Sequence, residues 1–233
     1  MAIPFAARRT RNRPMPGNVE SRSGAPRAAT ATRILEAARA LMTEEGLLEV
    51  SLAEISRRAR TNVALVSYYF GSREGLMLAL AQADAARALR DLERLLGSDL
   101  CAAAKLEMHI KALVEAYYAR PYLHRLLQKL LREGSAEVSR QIGDQFVAPV
   151  AQARRRIIAQ GIADGEFRDV DARFVSLIID GACAHLFSSA EGRRAVIGHG
   201  RLDRALVDNH ARTVADLVTG SLRPQATSNP RAG

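Results

Sequence analysis

Residues 51–76 read S-L-A-E-I-S-R-R-A-R-T-N-V-A-L-V-S-Y-Y-F-G-S-R-E-G-L, and this stretch decides the fold. Ser51 is followed three residues later by Glu54, a spacing that predicts a capping box at the start of a short helix. Asn62 can cap a second helix, and Ser72 can cap a third. Short capped helices joined by a tight polar turn are typical of a helix-turn-helix unit.

The second of these helices has an outward face that is unusual for a helix in solvent. Val66 and Phe70 fall on its inward side, which leaves small apolar groups, hydroxyls and an aromatic ring pointing outward. An exposed helix normally carries Glu, Lys and Gln there. Methyl, hydroxyl and guanidinium groups are what a helix needs to contact base edges and phosphates in the major groove of DNA. Arg57, Arg58 and Arg60 lie just before this helix in the sequence. The outward face and these arginines together predict DNA recognition.

Two segments carry a resemblance to a known family. V-S-Y-Y-F-G-S-R-E-G-L-M-L-A-L at residues 66–80 and R-I-L-E-A-A-R-A-L-M-T-E-E-G-L at residues 33–47 resemble the DNA-binding domain of tetracycline-repressor-type (TetR-family) transcriptional regulators. The resemblance is specific over residues 32–80 and extends only to size and helicity after that. Arg60 stands where the turn usually has glycine in the family, so either Arg60 takes a positive φ or the turn shifts.

The resemblance also implies which residues touch DNA. It assigns contacts with base edges to the outward residues of the second helix, and contacts with phosphates to Ser67, Tyr69 and Arg73. Tyr69 is also a candidate core residue, whereas the helical register turns Tyr68 away from the core. The complete predicted set of DNA-binding residues is Ser51, Arg58, Asn62, Val63, Ala64, Leu65, Ser67, Tyr68, Tyr69 and Arg73.

The whole chain is predicted to be all-α. Hydrophobic residues make up 48% of its 233 residues but aromatic residues only 5%, with no Trp, which suits Ala- and Leu-rich helices. Apolar stripes predict about nine helices, the first over residues 31–45 and the fourth over residues 73–96, with a kink or break at Pro149. The predicted divisions are a disordered Arg-rich arm (1–28), a helix-turn-helix DNA-binding domain (29–76), an effector-binding and dimerisation helical bundle (77–222) and a disordered tail (223–233).

The charge distribution points to a polyanionic partner. The chain carries a formal net charge of +9, which favours nucleic acid or an acidic membrane face. Residues 1–28 hold six arginines against Glu20 alone, whereas residues 29–75 hold six arginines and six glutamates. Two interpretations of the arm remain open: it lies along DNA, or it is a solvated tail.

Several functional classes lack support in the sequence. No stretch approaches the roughly 18 apolar residues of a membrane helix, and the start of the chain does not resemble a signal peptide, so a cytoplasmic protein is expected. The two cysteines show no disulfide framework. The five histidines lack metal-ligand spacing, and no nucleophile or phosphate-loop motif occurs. Neither a metal, a cofactor nor an enzymatic activity is therefore predicted.

In the resembling family the last two helices pair across a two-fold axis, and the intervening helices bind an effector. The candidates here are mainly polar groups that interrupt apolar stripes, with Tyr117 and His185 expected to face inward. The full set of predicted effector-binding residues is His109, Tyr117, Tyr118, His124, Gln128, Phe146, Asp180 and His185.

Together these features predict a homodimeric repressor that binds a palindromic operator and is released by a small molecule. An architectural or effector-independent DNA binder of the same fold stays open as an alternative, and an α-helical enzyme as a weaker one.

Overall fold

The computed structural model of the chain describes residues 24–45 and 49–224. Over these residues the regular structure is helical, with no β-strand, so the predicted all-α class is confirmed. The predicted arm lies outside the described residues up to residue 23, and the predicted tail lies outside them from residue 225. None of the described helices combines the length and the apolar character needed to cross a bilayer.

Four helices form the N-terminal part and seven helical segments the C-terminal part. The first four are α1 (Gly24–Glu45), α2 (Leu52–Arg58), α3 (Val63–Phe70) and α4 (Arg73–Leu96). The others are α5 (Ala102–Ala119), α6 (Pro121–Glu133), α7 (Ala136–Ile142), α8 (Ala148–Ala163), α9 (Ala172–His185), α10 (Ala190–Ile197) and α11 (Arg204–Leu222). A π-helical turn, Gly143–Val147, joins α7 and α8 without a break. The described chain therefore has ten separate helices, against about nine predicted.

The predicted first helix was too short, and one helix of the structure, α10, was not predicted. The first helix begins at Gly24, not near residue 31. The apolar stripe did not predict this additional length, because residues 27–29 are exposed and do not belong to the stripe. Their alanines favour a helix all the same. No stripe predicts α10 either, since this eight-residue helix buries none of its residues.

The irregularity expected at Pro149 takes the form of the π-helical turn. Proline has no N–H to donate, and its ring crowds the carbonyl four residues earlier. That carbonyl belongs to Gln145, inside the π turn. The wider turn therefore accommodates Pro149 near the start of α8 while the helix continues.

Buried apolar side chains form two cores that do not follow the predicted domain boundary. The first core joins α1 to α4 with α6 and α7, and includes Ile55, Leu76 and Leu126. The second joins α5, α8, α9 and α11, and includes Ile157 and Ile179. The helix-turn-helix is thus packed directly against α6 and α7, so a movement of these helices reaches it through side-chain contacts.

Candidate DNA interface and effector region

Side-chain caps fix the N-terminal ends of α2 and α3, as predicted. Ser51 Oγ accepts from the backbone N–H of Glu54 at 3.2 Å. In return, the Glu54 carboxylate accepts from the backbone N–H of Ser51 at 2.8 Å. Asn62 Oδ1 accepts from the backbone N–H of Leu65 at 2.7 Å. These bonds satisfy donors that a helix start leaves free, so Ser51 and Asn62 have structural roles whether or not they contact DNA.

The turn between α2 and α3 has a strained backbone conformation at Arg60. Arg60 has φ of 50° and is the one described non-glycine residue with a positive φ. The first of the two expected outcomes for Arg60 is therefore correct. Next to it, the backbone N–H of Thr61 donates to Ser56 O at 2.9 Å, and Arg33 Nε donates to Ala59 O at 2.9 Å. These bonds hold the turn in a conformation that a side chain disfavours.

The outward face of α3 matches the predicted base-reading face. Tyr68 is 65% exposed and Val63 is 42% exposed, and Ala64 is exposed beside them. Val66 is fully buried. Leu65 and Ser67 are half-buried. This face is open because the opposite side of α3 packs on the first core.

The Tyr69 side chain contacts both the first core and Tyr68 on the exposed face of α3. It is half-buried and packs against the first core, as does Phe70. Its ring also meets the ring of Tyr68 edge to face, with centroids 5.5 Å apart. Gly71 follows with φ of 74°, a conformation open to glycine, and ends α3 where expected.

Two of the predicted phosphate-side arginines are already engaged within the chain. Arg58 Nη2 lies 2.5 Å from Glu44 Oε1, and the hydrogen bond from Arg58 lowers the pKa of Glu44. Arg73 Nε donates to Val50 O at 3.0 Å. The Val50 bond ties the Arg73 guanidinium, at the start of α4, to the segment just before α2.

The effector candidates that come together do so around a residue that the sequence analysis missed. Arg154 on α8 is only 1% exposed. Its Nε donates to His109 Nε2 at 3.0 Å, and its Nη2 donates to Asp180 Oδ1 at 2.7 Å. A third bond runs from Nη1 to Ser176 O at 3.1 Å. A buried guanidinium is stable here because each of its nitrogens has an acceptor.

Burial and the Arg154 charge shift the titration of neighbouring groups. Desolvation, aided by the nearby guanidinium, lowers the pKa of His109 to about 3. His109 is therefore neutral and accepts through Nε2. Burial also raises the pKa of Tyr117, and the Asp180 charge adds to that shift. The Tyr117 ring packs against His124 at 5.0 Å and against Phe187 at 5.9 Å between centroids.

Four predicted effector residues are not part of this cluster. The expected inward face of His185 was wrong, since it is exposed on α9, and Gln128 is exposed on α6. At helical spacing His185 shares a face of α9 with Phe174 and Ile178, which are also exposed. Tyr118 lies beneath the guanidinium of Arg204, with 5.9 Å from Cζ to the ring centroid. Phe146 is buried in the first core, away from the second.

Arg154 could have been found from its spacing. It falls four residues after Val150 and four before Ile158, inside an apolar stripe of helical period. A charge in such a stripe is almost never buried unless it is paired. Asp180 and His109 interrupt two other stripes, so the three together signal a buried polar network.

Two cavities in the described structure lie elsewhere. One, of about 690 Å³, lies between α5 and α11 and is lined by Lys111, Glu115, Arg204, Asp208 and other residues. The other, of about 470 Å³, lies beside α4 and is lined by Leu89 and Pro149 among others. None of the eight predicted effector residues lines either cavity.

Polar contacts tie α6 and its C-terminal end to the helix-turn-helix. Asp84 of α4, whose side chain is 1% exposed, accepts from Arg39 Nη2 of α1 at 2.6 Å. The hydroxyl of Tyr122, at the start of α6, donates to the same carboxylate. After α6, the backbone N–H of Ser135 donates to Glu74 at 2.5 Å. These contacts link α6 and the residues just after it to α4 at two positions, and through Asp84 to α1.

A second exposed face is apolar and continuous across two helices. On α9 the side chains of Phe174, Leu177 and Ile178 are 61–67% exposed, and on α11 Leu217 is 69% exposed. His210 of α11 bonds Ala182 O of α9 at 3.0 Å, which holds the two helices side by side. Large apolar groups collected in one patch mark an interaction surface.

A capped helix-turn-helix with an open reading face, on a larger helical body, defines the class of helix-turn-helix transcriptional regulators. The family described as "Bacterial regulatory proteins, tetR family" matches residues 34–80. The one described as "Tetracyclin repressor-like, C-terminal domain" matches residues 99–227. The chain belongs to the TetR family of transcriptional regulators, whose members are DNA-binding regulators and not enzymes. The resemblance found in the sequence is confirmed.

Solved structures share the fold at low sequence identity. A tetR-family regulatory protein from Rhodococcus RHA1 is 20% identical with a TM-score of 0.69, over 84% of this chain and 98% of that one. A TetR/AcrR-family regulator from Thermobifida fusca is 20% identical with a TM-score of 0.64, over 84% and 100%. FadR from Bacillus subtilis, in complex with stearoyl-CoA, is 18% identical with a TM-score of 0.65, over 82% and 99%. Comparison with curated proteins gives no significant match.

Proposed function

We propose that the chain is a homodimeric repressor that binds a palindromic DNA operator through α3 and releases it when a small molecule binds. The observation that carries this proposal is the open face of α3, on which Val63, Ala64 and Tyr68 are exposed while Val66 is buried. In the proposed division of the chain, residues 29–76 bind DNA and residues 77–222 bind the effector and a second copy.

The DNA contacts follow from the two kinds of group at this surface. The exposed residues Val63, Ala64 and Tyr68, with Leu65 at their edge, face the base edges in the major groove. Ser67, Tyr69 and Arg73 hold the flanking phosphates, since hydroxyls and guanidinium groups bind phosphate oxygens. Ser51 and Asn62 place the starts of α2 and α3 toward the backbone. Arg58 would exchange its bond to Glu44 for one to phosphate.

A second copy of the chain covers the apolar face of α9 and α11. One α3 of eight residues contacts too few bases to select a site, whereas two reading a palindrome lie about 34 Å, or a multiple of it, apart. A two-fold pairing of α9 and α11 buries Phe174, Leu177, Ile178 and Leu217 in one step. Closed two-fold dimers are the commonest arrangement for soluble oligomers.

The effector site is proposed around Arg154, where His109, Tyr117, His124 and Asp180 converge. Binding there would shift α5 relative to α6, and α6 is bonded to Asp84 and Glu74 of α4. The first core and these bonds then carry the shift to α1 and α4. Two arrangements that differ in the separation of the two α3 helices would bind the operator unequally.

A second candidate is a DNA binder of the same fold that responds to no effector. The observation that favours it is that Arg154 finds acceptors within the chain in His109, Ser176 and Asp180. FadR is in complex with an acyl-CoA, so stearoyl-CoA is a suitable first probe. An effector-responsive protein would lose operator affinity when the probe binds, and an effector-independent one would not.

Footprinting of the DNA upstream of the chain's own gene tests the main proposal. We expect protection of an inverted repeat whose half-sites lie one or more helical turns apart. The experiment is run at about 0.2 M salt, where non-specific phosphate binding is weak. Protection of unrelated duplexes to the same extent would contradict the proposal, as would a protein that stays monomeric on DNA.

A further inference from the structure

The cavity between α5 and α11 has an apolar floor and a rim that is open to solvent. The buried side chains of Val114, Val207 and Ala211 form the floor. Two exposed alanines, Ala112 of α5 and Ala205 of α11, belong to the rim. The volume of about 690 Å³ falls within the usual range of small-molecule sites, roughly 300–1,000 Å³. The apolar body of a ligand can therefore lie against this floor.

One arginine of the rim pairs with both acidic residues that line the cavity. Arg204 Nη1 lies 2.7 Å from Glu115 Oε2 on the opposite helix. Arg204 Nε lies 3.0 Å from Asp208 Oδ1, one helical turn along α11. Both carboxylates of the cavity are therefore already engaged by a guanidinium.

The two other cations of the rim have no carboxylate partner in the cavity. Arg212 of α11 is exposed, and it makes no hydrogen bond or ion pair within the described residues. Lys111 of α5 bonds to Glu107, which does not line the cavity. A guanidinium with unused donors suits a carboxylate, sulfonate or phosphate group. The rim therefore offers positive charge on both helices, beside an apolar floor.

We propose that the cavity between α5 and α11 is a binding site for a small organic anion. The apolar body of this ligand lies on the floor. Arg212 and Lys111, on opposite walls, bind its anionic group. The inference goes beyond the proposed function, because none of the residues proposed around Arg154 lines this cavity. A ligand bound here connects α5 to α11, which carries part of the apolar face proposed to pair with a second copy.

Two fluorescent probes that share one aromatic body test this site. 1-Anilinonaphthalene-8-sulfonate is an anion, and N-phenyl-1-naphthylamine is its neutral counterpart without the sulfonate. Each probe is titrated into the full chain, and its dissociation constant is obtained from the increase in fluorescence. The unchanged protein should bind both probes, and failure to bind either one would overturn the proposal.

Removal of the two cations tests the recognition of the anionic group. Lys111→Gln combined with Arg212→Gln should weaken binding of the sulfonate about threefold or more, because two exposed ion pairs are lost. Binding of the neutral probe should change by less than about twofold. The control is Arg155→Gln with Arg156→Gln, since both arginines are exposed on α8 and neither lines the cavity. Equal weakening in the two double variants would show an effect of net charge alone and overturn the proposal.

Filling the cavity tests the position of the apolar body. Ala112→Leu combined with Ala205→Leu introduces two larger side chains at exposed helical positions that tolerate leucine. This variant should bind both probes about tenfold more weakly or worse, because the apolar floor is no longer accessible. The control is Ala83→Leu with Ala88→Leu, at exposed positions of α4, which should not weaken binding. Unchanged binding in the filled variant would place the probes elsewhere, for example on the apolar face of α9, and exclude this site.

The outcome is separate from that of the proposed function, since the probe titrations use no DNA. If the chain shows no preference for an operator, the proposed function fails and the ligand site is unaffected. If neither the charge variant nor the filled variant changes probe binding, only the ligand site is excluded. Circular dichroism of each variant confirms that its helices are intact.

Discussion

Lys129 Nζ on α6 lies 2.6 Å from Glu49 Oε1, just before α2. The Glu49 carboxylate also lies 3.6 Å from Arg73 Nη2. The hydrogen bond from Lys129, together with both positive charges, lowers the pKa of Glu49. One carboxylate thus connects the C-terminal helices to the arginine proposed to hold a DNA phosphate. Because a negative charge beside Arg73 opposes the approach of phosphate, we expect Glu49 to limit the affinity for DNA.

Glu49→Gln should therefore tighten DNA binding several-fold at low salt, with a smaller gain at high salt because salt screens exposed charges. Fluorescence anisotropy with an operator duplex measures the change. The control is Glu133→Gln, which removes the other carboxylate on Lys129, at 2.8 Å, without changing the surroundings of Arg73. Weaker binding by the Glu49 variant, or equal gains in both variants, would contradict this role.

Tyr68 and Arg73 should differ in what they contribute to DNA binding. Tyr68→Ala removes an exposed ring from the reading face and should reduce discrimination between operator and scrambled duplex by roughly 1–3 kcal/mol. Arg73→Ala removes a phosphate contact and should weaken binding to both duplexes alike, with a salt slope shallower by about one unit. Titrations of both duplexes at several salt concentrations distinguish the two effects. Identical behaviour of the variants would refute the division between base and phosphate contacts.

The parts of the fold that depend on neighbouring residues could be predicted from the sequence. The caps Ser51, Asn62 and Ser72 act within three residues of themselves, so a local pattern contains the necessary information. Helix α4 begins and ends where its stripe and caps place it, at Arg73 and Leu96. The positive φ of Arg60 was one of the two outcomes expected from its position in the turn.

Features that depend on distant parts of the chain could not be predicted in the same way. The stripe containing Phe174 and His185 indicates that α9 has an apolar face, but it does not say which neighbour covers that face. Both residues are exposed. Arg154 finds its acceptors 45 and 26 residues away, in His109 and Asp180. Such pairs become visible only when the packing of α5, α8 and α9 is known.

The exposed apolar face of α9 gives a prediction for assembly. Ile178→Asp places a charge in the proposed two-fold interface, where it would be buried without a partner, and should convert the dimer to a monomer at micromolar concentration. Sedimentation velocity measures the mass. Met108→Asp is the control, since Met108 is a half-exposed apolar residue on α5. A dimer that survives Ile178→Asp would mean that this face is not the interface.

Arg60 stores strain that glycine would release. A left-handed conformation costs an L-residue roughly 1–2 kcal/mol, while glycine loses part of that gain to the entropy of the unfolded chain. Arg60→Gly should therefore raise the free energy of unfolding by roughly 0.5–1 kcal/mol, measured by urea denaturation. Arg57→Gly, at a helical position of α2, should lower it by a similar amount. Stabilisation by both substitutions, or by neither, would argue against strain at Arg60.

His109 makes the stability of the second core dependent on pH. Its pKa is lowered to about 3 by burial beside Arg154, whereas an unfolded chain titrates near 6.5. Between these values the folded protein binds fewer protons than the unfolded one. Its contribution to stability is therefore complete above about pH 6.5 and falls as the pH is lowered toward 3.

The expected loss from His109 is about 2 kcal/mol between pH 7 and pH 5. His109→Gln tests it, because the amide oxygen can still accept from Arg154 but does not titrate. Urea unfolding of both proteins at the two pH values should show a loss smaller by about 2 kcal/mol in the variant. Burial also lowers the pKa of His124 and His210, but both proteins contain these residues, so their effects cancel in the difference. An equal loss in the two proteins would show that His109 is protonated in the folded state.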